Sequence, residues 1–435
     1  MTKKYDVIVI GAGIIGCAVA FEMAKKGYKT LAVEKLPAAG YGSTSNTCAI
    51  IRLHYSTPDG VALARESYFY WIDWPKYIGV VDEAGMARYL NTGCLVIKNE
   101  KNKYLKNVMA SLDELHVAYE DLDVDGLKAF MPALDTRKYG PPVLAKNPGF
   151  GEPTGSAVAG AVYIPESGYI NDPQLSTHNV QRACEGRGGE FRFHSEVVAI
   201  LKKKGRAAGV KLADGTEIGA PIVVNVSGPH SFLINRIAGV EEEMNIKTRA
   251  LKQEVCHVPA PKGVDYNVLG TIISDGDVGC YSRPEVGNHV LIGSEDPECD
   301  QLDWIKNPDD YNTNFTFQWR TQVLREAQRM KDLPIPRQPK GLVDLYDVSD
   351  DWLPIYDKSS LPGFYMAVGT SGNQYKNAPI AGILMAELIE KAEAGQDHDR
   401  DPVTFTMKYT RRECNIGFFS RLRKINPDSS FSVIG

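Results

Sequence analysis

A chain of 435 residues, 43% hydrophobic and 24% charged, has an ordinary globular composition and length for more than one core. Its formal net charge of −5 supplies no pull toward nucleic acid or an anionic membrane, so small molecules are the expected partners. The eight cysteines are scattered, with no C-x-x-C and no histidine cluster at metal-ligand spacing, which fits a reducing, cytoplasmic setting and predicts no metal site.

The N-terminal run "MTKKYDVIVIGAG" passes from charges through apolar residues into a glycine motif, so it reads as a first strand rather than a signal peptide. No segment approaches the about 18 uninterrupted apolar residues of a membrane span. In "YDVIVIGAGIIGCAVAFEMAKKGYKTLAVEK" a β-branched strand, a G-x-G-x-x-G turn, an apolar-periodic helix and a second strand follow one another. Gly11 makes the tight turn, Gly13 lets a pyrophosphate approach the backbone, and Gly16 allows the helix to pack close to the strand. Ile14 and Ile15 open the helix, whose free N–H groups attract phosphate. Glu34 ends the second strand, followed by Lys35, near the roughly 20-residue offset at which a carboxylate accepts from ribose hydroxyls and repels a 2′-phosphate. These elements stand in register for dinucleotide binding, and the motif alone leaves FAD and NAD open.

After the second strand comes "LPAAGYGSTSNTCAIIRLHY", where a plain NAD fold would continue with its next βα unit. Gly42, Ser43 and Thr44 can present backbone N–H groups and hydroxyls to a pyrophosphate. The stretch "LDTRKYGPPVLAKNPGFGEPTGSAVAG" is Pro- and Gly-rich and reads as a lid, a subunit contact or an inert loop. From "EFRFHSEVVAI" to "VVNVSGPHS" three or four strands are expected, with Asp214-Gly215 as a hairpin turn and Ser227-Gly228 closing the last strand. Lys202, Lys203 and Lys204 read as a solvated hairpin end. "DYNVLGTIISDGDVGCYSRPEVGNHVLIGSEDPE" supplies strands joined by Gly turns, and "FTFQWRTQVLREAQRMKDL" an amphipathic helix. The closing section runs from a strand, "GFYMAVG", through "GTSGNQYKNAPIAG" into a helix, "PIAGILMAELIEKAEAG", with Lys376 at the turning point. The tail alternates apolar residues without a sustained helix and is expected to pack back on the nucleotide-binding part.

The N-terminal fingerprint, "GSTSNTCAIIRLHY", "GYINDPQL", "HSEVVAI", "VVNVSGPHS", "GCYSRPEVGNHVLIG" and "GTSGNQYKNAPIAGILMAELI", in this order, resemble the flavin-dependent amine oxidases of the sarcosine oxidase family, within the D-amino acid oxidase-like superfamily. The resemblance implies FAD, with Val198 near the adenine and the Ser227-Gly228 turn near the pyrophosphate. The expected architecture is α/β plus α+β: a discontinuous Rossmann-type FAD-binding domain (1–85, 160–236 and 341–435) and a mainly antiparallel-sheet substrate domain (86–159 and 237–340). A pocket at their junction would hold the substrate.

In that family an arginine and a lysine clamp the substrate carboxylate, and the matching residues are Arg52 and Lys376. A planar guanidinium and an ammonium around a carboxylate make charge-assisted, orienting hydrogen bonds; taken alone, Arg52 would equally serve as an ion-pair arginine. Gly372, Asn373 and Gln374, expected at the start of the final helix, would offer N–H groups to charge developing on the reduced flavin. The family's covalent cysteine is matched by Asp344, which cannot form a thioether, so non-covalent FAD is expected. Its oxygen-activating lysine is matched by Leu291, and its His-Gly pair by Asn373-Gln374. On a strand, His54 would share the face of Arg52 and is a candidate proton acceptor, with a merely packed histidine left open. Tyr346 is a pocket-lining candidate, and His230 reads as structural. The expected reaction is oxidation of a secondary or N-methylated amino acid by hydride transfer to flavin N5, giving an imine. A 2-hydroxy acid dehydrogenase, and the flavin subunit of a hetero-oligomer with partner subunits or an electron-acceptor protein, stand as alternatives.

Overall fold

Val7–Ile10 is a run of four fully buried apolar residues, as a strand covered on both faces must be. In the computed structural model, which describes residues 4–99 and 105–434, it lies inside a six-stranded sheet. The order is Ile355–Lys358, Phe364–Val368, Ile222–Asn225, Val7–Ile10, Thr30–Val33, Glu190–Arg192. All neighbours are parallel except Ile355–Lys358, which runs antiparallel to Phe364–Val368. The first helix, Ile14–Lys25, is buried along nearly its whole length. It packs against Pro173–Glu185 and the final helix, Ala378–Glu393. A Cβ at Gly382 would stand 2.7 Å from the Ala18 carbonyl oxygen, so the crossing needs glycine.

A second sheet of nine strands runs Trp304–Ile305, Thr248–Pro259, His289–Ser294, Cys280–Glu285, Ile272–Asp275, Cys94–Ile97, Ala161–Ile164, Glu120–Leu122, with Gly341–Ser349 also paired to Thr248–Pro259. Its pairings are antiparallel apart from Ile272–Asp275 with Cys94–Ile97. The helix Phe317–Arg329 lies against it and sends the buried Arg329 to Asp275 (2.5 Å) and Asp277 (2.8 Å). The fold is thus a Rossmann-type sheet with helices, joined to a second, mainly antiparallel sheet.

Strand pairing departs from the expected division at two places. Ala161–Ile164 and Gly341–Ser349, assigned from sequence to the nucleotide-binding part, sit in the nine-stranded sheet. Gly341–Ser349 is held there by a nine-pair register, from Thr248↔Ser349 to Cys256↔Gly341. Residues 1–3, 100–104 and 435 of the expected ranges lie outside the described residues. Between Glu190 and Asn225 there are five strands rather than three or four. Glu190–Arg192 joins the parallel sheet, and Val197–Lys203, Arg206–Leu212 and Glu217–Gly219 form a small antiparallel one. Lys202, Lys203 and Lys204 are exposed at its hairpin end. The Pro/Gly-rich segment is anchored where Arg325 donates to the Val143 carbonyl (3.1 Å).

The tail serves both parts. Val403, Met407, Cys414, Ile416 and Phe419 join the core around the first and final helices. Val433 and Ile434 pack instead with Leu251, Val348 and Trp352. Among the described residues, no helix is long and apolar enough to cross a membrane.

Candidate active site

A cavity of about 400 Å³ runs from the glycine turn after Val7–Ile10 to the face of the nine-stranded sheet. At its nucleotide end, Gly11 (φ +103°) carries the backbone where a Cβ would meet the Val226 carbonyl oxygen at 2.5 Å, and a Cβ at Gly16 would meet the Gly11 oxygen at 2.1 Å. Neither position admits a side chain. Gly13 precedes the helix as its cap residue and has no capping side chain of its own. Thr44 supplies one from the following loop, its Oγ1 accepting from the Ile14 N–H at 3.2 Å. Ile15 and Gly16, in the first turn, line the cavity, and N–H groups at this place in a helix have no intrahelical acceptor.

Glu34 accepts from the Ala12 N–H (2.8 Å) through Oε2 and from the Leu36 N–H (2.9 Å) through Oε1, which fixes its carboxylate beside the turn. Lys35 pairs with Asp309, and His230 sits between them, 2.9 Å from Lys35 Nζ and 3.0 Å from Asp309 Oδ1. His230 therefore closes the rim of the cavity, its pKa lowered by burial and by Lys35. Gly42, Ser43, Ser227 and Gly228 line the same end. The Val198 side chain does not: it is 42% exposed, and Val197 lines the cavity in its place. Strand alternation sends adjacent side chains to opposite faces, so an assignment one residue out reverses the direction.

Arg52 and Lys376 meet at the other end. Tyr55, which the sequence reading passed over, touches both. The Arg52 guanidinium lies 4.9 Å from its ring centroid, and Lys376 Nζ lies 4.7 Å from the same ring. Lys376 donates to the Tyr55 hydroxyl and to the Asn373 carbonyl (2.7 Å), while Tyr55 itself donates to Asn373 O (2.9 Å). The Lys376 carbonyl accepts from Ser67 Oγ and Trp71 Nε1, both at 2.6 Å. Burial, with Arg52 beside it, pulls the Lys376 pKa well below the ordinary lysine value. Arg52 donates in addition to the Val433 carbonyl, so the tail reaches the site.

His54 lines the cavity, and neither ring nitrogen has a hydrogen-bond partner among the described residues. Burial, then Arg52 and Lys376, lower its pKa well below the usual histidine range, which leaves the ring neutral. Tyr346 reaches the cavity from Gly341–Ser349, and its ring lies so close to Gly372 (φ +69°) that a Cβ there would approach it to 2.3 Å. The loop carrying Gly372 is tied by Asp347, which accepts from Gly369 N–H and Ser231 Oγ, both at 2.7 Å.

The final helix begins only at Ala378. Gly372, Asn373 and Gln374 line the cavity from a turn ahead of it, with Lys376 in a short 3-10 segment, Tyr375–Asn377. Ser371 and Gly372 both adopt left-handed φ, which no helix continues through. The Asn373 N–H is accordingly taken by Thr370 O (2.9 Å) instead of facing a ligand. Its side-chain Nδ2, buried and without a partner among the described residues, is what Asn373 leaves free. Asp344 lines the cavity and accepts from Asn46 Nδ2 at 2.5 Å. Leu291 packs with Cys48 and Val255 behind the wall. Glu295 and Ser274, absent from the sequence reading, complete the far wall.

The cavity therefore joins a glycine cradle with no room for side chains to a cationic, desolvated end. A family model described as FAD dependent oxidoreductase matches residues 6–388. The chain belongs to this family. FAD fits the site, because the first-turn N–H groups of Ile15 and Gly16, the Ser43/Thr44 hydroxyls and Glu34 are the donors and acceptors that a dinucleotide takes up. The expected likeness to the sarcosine oxidase family holds. The chain is 25% identical over 397 residues to sarcosine oxidase subunit beta of Rhodobacter capsulatus, covering 89% of this chain and 86% of that protein. It is 25% identical over 407 residues to glycine oxidase of Geobacillus kaustophilus, covering 91% and 96%. Among solved structures, L-proline dehydrogenase from P. horikoshii shares the fold with a TM-score of 0.73 at 23% identity, over 90% of this chain and 95% of that one.

Proposed function

We propose that this FAD-dependent oxidoreductase oxidises a secondary or N-methylated amino acid whose carboxylate is held between Arg52 and Lys376. The observation that carries the reading is the convergence of Arg52 and Lys376 on one ring, Tyr55, in the same cavity as a neutral His54 whose ring nitrogens have no partner among the described residues. The names of the relatives, which act on sarcosine and glycine, support an amino acid as substrate.

FAD, when bound, supplies the acceptor for the hydride lost from the carbon next to nitrogen. The chain's residues do the rest. Arg52 offers a planar fork to the carboxylate. Lys376, whose pKa is depressed by burial and by Arg52, gains a proton as the anion arrives, because a neighbouring negative charge favours the ammonium form. Tyr55 contacts both groups. His54, neutral and with both nitrogens free, accepts a hydrogen bond from whatever N–H or O–H the substrate presents. Leu291, which the family resemblance matches to an oxygen-activating lysine, supports a dehydrogenase that passes electrons to an acceptor other than oxygen. The naming of one relative as a subunit favours, as a second reading, a chain that works within a hetero-oligomer.

The test is anaerobic mixing of the FAD-loaded protein with N-methyl, cyclic and primary amino acids and 2-hydroxy acids, following the flavin band at about 450 nm. Bleaching by an N-methyl or cyclic amino acid is expected, and bleaching by 2-hydroxy acids alone would refute the amine reading.

A further inference from the structure

Glu295 follows the strand His289–Ser294 and is buried on the cavity wall that also carries Arg52, His54 and Tyr346. Among the described residues it forms no ion pair. Its Oε1 accepts from Ser274 Oγ at 2.6 Å, and its own N–H donates to Gly279 O at 3.1 Å. Ser274 belongs to Ile272–Asp275, which Cys280–Glu285 separates from His289–Ser294, so the carboxyl on the cavity wall is held from across an intervening strand. A buried carboxyl with no ion-pair contact is costly, and the fold would be better served by an apolar side chain here. Burial pushes its pKa up to about 8; Asp275 adds to this, while Ser274 and Arg52 oppose it. The charged and titratable groups facing it are Asp275 at the end of Ile272–Asp275, Arg52 and His54 after Ile50–Ile51, and the Cys94 thiol.

The cavity thus offers two basic groups, Arg52 and Lys376, and a carboxyl, Glu295, to one ligand, partners for both ends of an arriving zwitterion. Resting on the amino acid reading above, we propose that Glu295 is the residue that receives the substrate's amino group and takes its proton. The arriving ammonium favours the carboxylate form, so Glu295 first releases its resting proton to solvent; an N–H bond of the bound ammonium then breaks and an O–H bond forms on Glu295, with the nitrogen keeping the electron pair. That pair then assists departure of the hydride from the adjacent carbon to the acceptor that FAD supplies, leaving an iminium that water hydrolyses. Ser274 is a positioning residue in this scheme, since its hydroxyl holds Oε1.

The decisive experiment titrates FAD-loaded wild type, Glu295→Gln and Ser274→Ala with two ligands, monitored by perturbation of the flavin spectrum. One is the amino acid found to bleach the flavin, mixed anaerobically; the other is the carboxylic acid of the same skeleton lacking nitrogen. Glu295→Gln is expected to fold, because the native side chain is itself protonated at neutral pH. The expected result is a roughly 10- to 100-fold loss of amino acid affinity in Glu295→Gln, a smaller loss in Ser274→Ala, and unchanged affinity for the nitrogen-free acid in both. Equal affinity of wild type and Glu295→Gln for the amino acid would overturn the assignment while leaving the Arg52/Lys376 clamp intact. Failure of wild type to bind either acid would overturn the clamp and this assignment with it.

Discussion

Replacing Arg52 by methionine removes the permanent charge from the clamp while keeping the unbranched stem. Three consequences can be sized. The substrate loses a buried, charge-assisted partner, and truncating one member of such a pair costs about 2–5 kcal/mol, or roughly 30- to 5,000-fold in kcat/KM. Lys376 moderates the loss: Arg52 is one cause of its depressed pKa, so in the variant more of it is ammonium when the acid arrives. The expected drop is therefore near the lower end, about a hundredfold. The Val433 carbonyl also loses its donor, which costs on the order of 1–3 kcal/mol of stability. Bound FAD is expected at wild-type occupancy, because the glycine cradle lies at the opposite end of the cavity. The assay is steady-state kinetics on protein whose flavin content has been matched by absorbance, with a thermal melt alongside. A kcat/KM within about threefold of wild type in flavin-replete protein, well below the range that a buried charge pair commands, would refute the clamp.

Gly11→Ala is expected to purify without FAD, since its φ of +103° and the Val226 oxygen 2.5 Å from the added Cβ displace the turn; retained yellow colour would contradict the cradle. Acid precipitation of the holoprotein is expected to leave FAD in the supernatant, because Asp344 cannot form a thioether and burial raises the pKa of the cavity-lining Cys48 thiol. Flavin retained in the pellet would identify a covalent bond. Glu326→Gln tests a buried carboxyl away from the site, with both oxygens unpartnered among the described residues and a pKa raised by burial to about 7. The folded chain keeps this proton after the unfolded chain has lost it, so wild type loses stability relative to the variant as pH rises from about 4.5 to about 7. The expected gap is roughly 3 kcal/mol by pH 8 and small at pH 4.5, read from urea unfolding at both pH values.

The nucleotide end of the site was legible because its chemistry is local. The turn, the helix it opens and the acid that ends the next strand are all encoded within Val7 to Glu34, and each glycine answers to a contact in its immediate neighbourhood. Thr44 was readable as a hydroxyl in the right loop, though not as the residue that caps Ile14. The substrate end was legible only through resemblance, since Arg52 and Lys376 lie far apart in the chain and nothing in either segment names the other. Tyr55 and Glu295 escaped because a tyrosine beside an apolar run and a glutamate in a Gly-turn region look like core and surface until the sheets close around them. The start of the final helix was misplaced for a definite reason: two successive left-handed residues, Ser371 and Gly372, leave no mark on helical periodicity. Val198 lies on the expected strand, with its own side chain exposed and that of Val197 on the cavity.

The carbonyl of Val433 on Arg52 makes the segment around Val433 and Ile434 part of the pocket's architecture. A substitution or insertion there would shift an acceptor that shares Arg52 with the proposed clamp. Variants altered only in this segment should thus be compared with the parent for ligand affinity, and a label intended to leave turnover untouched belongs elsewhere on the chain.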